Sequence, residues 1–278
     1  MTEKTVYKPT NDYVFSRIFG YKKNWKLLKD LLESILTDIE IKKIKLVKQY
    51  TLDKDAIKDR GAVLDVLAEL NDDTTVNIEM QMKDYHNTIE RSIFHDSGMF
   101  HESLIKNEDF KNAKRVIGIW ILCYNIFDEG PFHEVARLRR DYGNMLLTNK
   151  MEYHYIQLPK FKEKCRRISN KLEQWLTFII NDDVEEIKMI DNEFVQKAED
   201  ELEYINADEE ERMRAKFRER AEWKYHADMK SMFSAGKAEG IKEQNITIAK
   251  KMLEQNIDIE TIIEVTGLAR EEIEKLKD

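Results

Sequence analysis

The chain has 278 residues, 42% hydrophobic and 36% charged, enough apolar material for one large domain or two small ones. A net charge of −8 counts against gripping nucleic acid by phosphate neutralisation alone, but leaves room for a local basic groove or a bound divalent ion. Two distant cysteines, Cys123 and Cys165, make neither a disulfide framework nor a zinc set; the longest apolar run (residues 116–124) is too short for a bilayer and residues 1–10 are polar, so a cytoplasmic, membrane-free protein is expected.

Residues 10–36 carry an apolar stripe at helical spacing (Val14, Ile18, Leu27, Leu28, Leu31, Leu32, Ile35), with Thr10 as the expected N-cap and Gly20 as a break. Residues 44–52, 62–70 and 75–82 read as strands, the last two joined through Asn71, Asp72 and Asp73 into a hairpin. A helix follows over 87–106, then a strand over 115–127 whose continuous apolar character suits burial on both faces. Residues 133–140 and 152–158 are weaker strands. Helices are expected over 168–180, 192–205 and 209–233, and Gly236 and Gly240 introduce a last helical group. The order marks an α/β unit over residues 1–165, a helical extension over 166–235 and a helical tail over 236–278.

The hairpin holds the most specific chemistry. Side chains alternate along a strand, so Asp65 shares a face with Val63, Leu67 and Glu69, and Glu79 shares one with Asn77, Gln81 and Lys83. The apolar faces must coincide, because a one-residue slip exposes every buried side chain. Leu64 therefore sits across from Met80 or Met82, and either register brings Asp65 to the face of Glu79 and Gln81. A two-residue turn would set Asp65 across from Met80 instead, so an odd-length loop or a bulge is required. Two carboxylates and an amide oxygen on one patch suit Mg²⁺, which takes oxygen ligands, polarises a phosphate and activates a bound water. Asp65, Glu79 and the Met80 carbonyl are the expected ligands. Gln81 orients the water or meets phosphate, and Lys83 balances its charge. The plain alternative is a solvated hairpin face, against which stand the apolar neighbours Val63 and Leu67 and the helix that follows and needs a sheet face to cover.

Asp65 within 58–68, the Glu79-Met80-Gln81 run, Glu90-Arg91 and the opening 10–19 segment together resemble the Rpn-type recombination-promoting nucleases, the transposase-like branch of the PD-(D/E)XK superfamily. The resemblance covers about residues 8–127, and the Gly236–Gly240 stretch with its helical end is similar too. It implies a PD-(D/E)XK (restriction-endonuclease-like) α/β core with a mixed central sheet flanked by helices, DNA as substrate and partner, Mg²⁺ or another divalent cation as cofactor, and DNA endonuclease activity in recombination or mobile-element biology. It maps the catalytic acids onto Asp65 and Glu79, puts Gln81 in place of the usual lysine, adds Asp12 as an acidic position near the metal, and makes Arg91 a phosphate contact. His95 and Asp96 depart from the family's usual aromatics, and Gln81 is no general base, so a DNA-binding protein of weak or absent catalysis is the alternative. Asp12 otherwise serves its helix N-terminus, Arg91 a neighbouring acid and Lys83 a solvated strand end.

Two basic runs, Lys160-Lys162-Lys164-Arg166-Arg167 and Arg137-Arg139-Arg140, read as solvated faces or as tracks for a DNA backbone. The tail turn at Thr266-Gly267 resembles a helix-turn-helix, but its last helix is more acidic than basic. That charge favours a partner or self-association role, a homo-oligomer through the C-terminal helices.

Overall fold

The computed structural model describes residues 5–47, 66–71, 73–104, 109–164 and 168–276. Six strands form one sheet in the order β1-β2-β3-β4-β6-β5. β1 (Ile44–Leu46), β2 (Val66–Leu70) and β3 (Thr74–Gln81) are antiparallel neighbours, whereas β3, β4 (Arg115–Leu122) and β6 (Met151–Gln157) run parallel. β5 (His133–Arg137) closes the far edge antiparallel to β6. A parallel pair needs a crossover, and the helix α3 (Thr88–Glu102) supplies it between β3 and β4. The mixed sheet flanked by helices is the architecture the resemblance implied.

Alternation sorts the side chains. Val66, Ala68, Leu70, Val76, Ile78, Met80, Ile117, Ile119 and Ile121 enter the main core with α1 (Asp12–Phe19), α2 (Trp25–Ile35) and the later helices. The whole expected stripe from Val14 to Ile35 is buried there. Each fully buried aliphatic side chain of this kind contributes roughly 1.5–3 kcal/mol. Asn11, not Thr10, caps α1: its Oδ1 accepts from the Val14 amide at 3.2 Å, while Gly20 ends the helix as expected. The indole of Trp175 donates to the buried Asp30 carboxylate at 2.9 Å, tying α2 to a helix 145 residues away in sequence.

Beyond β6 come α4 (Leu158–Lys164), α5 (Lys171–Ile180), α6 (Val184–Lys188) and α7 (Glu193–Ala207). The long α8 (Glu209–Glu254) follows. It runs through both Gly236 and Gly240, so the expected break there is corrected: a single exposed glycine costs a helix only about 1 kcal/mol, which its neighbours outweigh. The compact units divide at Arg218, into 1–218 and 219–278. In the second unit the end of α8, α9 (Ile259–Thr266) and α10 (Arg270–Glu274) bury Ala249, Ile262, Leu268 and Ile273 in a small core of their own. Gly267 takes φ 66° between α9 and α10, a left-handed cap that glycine adopts without a Cβ penalty. Among the described residues no helix is long and apolar enough to cross a membrane.

Candidate active site

The β2–β3 ladder pairs Val66 with Ile78 and Leu70 with Thr74. Three residues, 71–73, therefore make the loop, the odd length that the hairpin argument required. Asn71 holds it: at φ 54°, its side chain accepts from the Lys42 and Lys43 amides and donates to the Glu40 carbonyl. Asp65 lies outside the described residues.

In this register Asn77, Glu79 and Gln81 face away from the main core and toward α3. Asn77 and Glu79 are 1% and 3% exposed, so this is not a solvent face. Glu79 Oε2 accepts from the Gln81 amide Nε2 at 3.1 Å, and Arg91 Nη2 stands 4.0 Å from the same oxygen. Arg91 Nη1 also donates to Gln81 Oε1, at 3.4 Å. Glu79 Oε1 is buried without a hydrogen-bond partner. A buried carboxylate oxygen left unpaired costs desolvation with no return, unless a cation or water completes it. Hard oxygen donors of this kind fit Mg²⁺. Among the described residues no set of three His, Cys, Asp or Glu side chains surrounds one point.

The remaining predicted site residues divide. Lys83 is exposed just past the end of β3. Met80 turns its side chain into the main core. Asp12 lies at the start of α1, where its Oδ1 accepts from the Tyr13 amide and its Oδ2 pairs with Arg218 Nε at 2.9 Å. Among the described residues it shares no hydrogen bond or ion pair with Glu79 or Gln81.

Sequence reasoning missed what α3 presents to this face. Thr88, Ser92 and Asp96, spaced four apart, are buried against the sheet, whereas Ile89, Ile93 and Phe94 point outward. Ser92 Oγ lies 2.6 Å from the Tyr155 hydroxyl, and Thr88 Oγ1 2.7 Å from that of Tyr124. Asp96 rests on the backbone of β4 at Gly118, where a Cβ would come within 1.9 Å of its Oδ2. Burial first, then the Glu79 charge, pushes the Asp96 carboxyl up to about 7, with Trp120 and Asn77 pulling the other way. Burial likewise holds the His95 imidazole below its ordinary value, opposed by Glu79 and reinforced by Arg91. His95 and Asp96, the departures noted in the sequence, thus bear on Glu79 electrostatically. The polar i, i+4, i+8 stripe was the signal that could have found them.

The basic runs are structural in part. Lys160 is buried and donates to the Glu129 carbonyl at 2.5 Å, and Lys162 pairs with Asp182 at 2.5 Å. Arg166 and Arg167 lie outside the described residues. Cys123 is a half-buried free thiol whose pKa burial raises to about 11, while Cys165 also lies outside the described residues. A cavity of about 500 Å³ lined by Asn71, Asp73, Lys114, Arg115 and Lys150 opens at the other end of the sheet and holds none of the predicted site residues.

A mixed sheet with a Glu-x-Gln strand in its hairpin and a crossover helix over it is the architecture of the PD-(D/E)XK nuclease class. The model of the PD-(D/E)XK nuclease family transposase matches residues 9–236, and the chain belongs to that family. Residues 242–278 match the C-terminal HTH domain of the Rpn/YhgA-like nuclease family, in accord with the Rpn resemblance and with the turn at Thr266-Gly267. No curated protein and no solved structure matched the chain.

Proposed function

We propose that the protein is a divalent-metal-dependent DNA endonuclease acting in recombination or mobile-element movement. The observation that carries this reading is Glu79: buried, steered by Gln81, faced by Arg91, and left with one free oxygen. Asp65 is the proposed second acid. It precedes Val66, whose ladder partner is Ile78, the neighbour of Glu79. Asp65, Glu79 and the Met80 carbonyl would hold Mg²⁺, with Asp12 as an outer acid that must first release Arg218. When bound, the metal supplies Lewis-acid polarisation of the phosphate and a water of lowered pKa.

The chain's own residues do the rest. Gln81 donates its amide hydrogen to Glu79 and keeps that carboxylate turned; its carbonyl oxygen is the acceptor available to a water. Arg91 offers further N–H donors to a phosphate oxygen. Lys83, exposed beyond the strand, balances charge on the same phosphate. The sheet and α3 bury the acid, which strengthens each of these interactions relative to water. The helix-turn-helix unit supplies a second DNA contact, and with its acidic last helix it also suits self-association.

Purified protein incubated with supercoiled plasmid should nick it in Mg²⁺ and not in EDTA. Asp65→Ala should abolish nicking while leaving the fold intact. Nicking that survives Asp65→Ala refutes the site. Duplex binding without cleavage by the unaltered protein would favour the alternative, a DNA-binding protein that has kept the fold; its supporting observation is a Gln where a base would act.

A further inference from the structure

Beyond β5 the chain does not turn back at once. Residues 138–147 form a two-stranded arm: the Leu147 amide donates to the Leu138 carbonyl, Arg139 bridges Leu146, and the Arg140 amide donates to the Met145 carbonyl. The tip reverses at Tyr142–Asn144, where Gly143 (φ 69°) and Asn144 (φ 49°) are both left-handed. Tyr142 is 87% exposed, and Met145, Leu146 and Leu147 are exposed along the returning strand.

Two features set the arm apart. Its arginines lack acids. Arg139 donates to the Asn144 carbonyl and Arg140 to the Met145 sulfur, and among the described residues neither forms an ion pair with a carboxylate. In a chain with 54 acidic and 46 basic residues, uncompensated guanidiniums stand out. The base of the arm, in contrast, is clamped. Arg137 Nε donates to Glu152 Oε2 at 2.5 Å, Arg115 Nη2 to the same oxygen at 3.1 Å, and His154 Nε2 lies 2.7 Å from Oε1. Glu152 has a side chain 1% exposed, so the clamp is an interior one. A rigid root thus carries an open, aromatic-tipped ribbon with two arginines against one acid, Asp141.

From these observations we infer that residues 138–147 are a DNA-contacting arm that enters the major groove of the duplex on which the active site works. This rests on the reading of the protein as a DNA nuclease and adds to it a further, distant contact. A two-stranded ribbon is one of the two protein elements that the major groove admits. Arg139 and Arg140 are exposed on the outgoing strand, and Tyr142 leads at the tip. Along the strand register the tip lies roughly 30 Å from Glu79, from eight residues of rise and three strand spacings, beyond the end of the sheet where β4 and β6 begin. That is about one turn of B-form duplex, ~34 Å. A duplex lying along the sheet would meet the arm about one turn from the phosphate under attack.

The test is duplex binding by the full chain in EDTA, over a series of salt concentrations, with a labelled 30-base-pair DNA as probe. Arg139→Ala/Arg140→Ala should bind about tenfold more weakly at 0.1 M salt, with a log–log salt slope lower by about 2. Tyr142→Ala should weaken binding with little change in slope. The control Lys188→Ala/Lys197→Ala, which removes two exposed and acid-paired cations, should bind within about twofold of the parent. All these side chains are on the surface, so unchanged urea midpoints should accompany the effects. The inference is overturned if the double arginine variant binds with the parental affinity and slope, or if the variants change only the oligomeric state. A parent protein that cleaves plasmid while the arm variants bind normally sinks the arm alone; a parent that neither binds nor cuts DNA sinks both readings.

Discussion

Replacing Gly118 with alanine puts a methyl carbon 1.9 Å from Asp96 Oδ2 and 2.8 Å from its Cγ. Two such atoms need more than 3 Å, so either the Asp96 rotamer or α3 itself has to move. Asp96 is short and 1% exposed, and Gly118 sits in β4 between Asn77 of β3 and Tyr153 of β6, so neither partner yields freely. Overpacking of this kind costs about 1–3 kcal/mol. Alanine returns about 0.5–1 kcal/mol by restricting the unfolded chain. Gly118→Ala should therefore destabilise by about 1–2 kcal/mol, read as a lower urea midpoint at constant m-value. Asp96→Ala removes the clashing atoms, and in a double-mutant cycle the pair should couple favourably by at least about 1 kcal/mol. Because α3 also carries Arg91, nicking should fall in the single variant and recover partly in the double. Additive effects, or a neutral Gly118→Ala, would refute the claim that α3 rests on the β4 backbone through this carboxylate.

The remaining predictions are simpler. Against the burial that raises it, hydrogen bonds from His154 and Arg137 and the charges of His154 and Arg115 pull the Glu152 carboxyl down to about 2. A depressed carboxylate stabilises the fold above its ordinary pKa of 4.5 and loses that contribution as pH falls toward 2; the shift corresponds to about 3 kcal/mol. Glu152→Gln should cost about that much at pH 7, and its gap to the parent, measured by urea titration, should close between pH 5 and pH 2; a gap independent of pH contradicts the clamp. Gly267→Ala, at φ 66°, should destabilise the C-terminal unit by about 1 kcal/mol, visible as a lower melting midpoint in residues 219–278 by hydrogen exchange, and Gly267→Asn by less.

Much of the first unit was legible because burial and alternation leave few choices. The apolar faces of β2 and β3 could coincide only in an even register, which required an odd-length loop or a bulge and turned Glu79 and Gln81 to one side; the structure takes the three-residue loop. The stripe from Val14 to Ile35 likewise specified two helices around Gly20. What escaped was set by tertiary context. α3 buries Thr88, Ser92 and Asp96 and exposes Ile93 and Phe94, the reverse of an amphipathic expectation, because the sheet face beneath it carries Asn77, Glu79 and the Tyr155 hydroxyl among its aromatic side chains. Lys160 looked like one of a solvated run, yet its long stem is buried and its ammonium reaches a backbone carbonyl. The acidic α10 argued for self-association, although Arg270 and Glu260, and Lys242 and Glu272, neutralise one another within the small helical unit. Net charge on a helix does not say which charges are already spent on neighbours. The partner of the Asp12 carboxylate was equally out of reach, being Arg218, 206 residues downstream.

On the proposed reading Glu79 holds the ion that DNA cleavage requires. Its sharpest test is the rate of plasmid nicking by Glu79→Gln at saturating Mg²⁺, compared with unaltered protein of equal urea midpoint. The isosteric amide keeps the packing and removes the charge, so the account predicts a loss of about a thousandfold or more. A Glu79→Gln enzyme that nicks within a few-fold of the parent rate would contradict it.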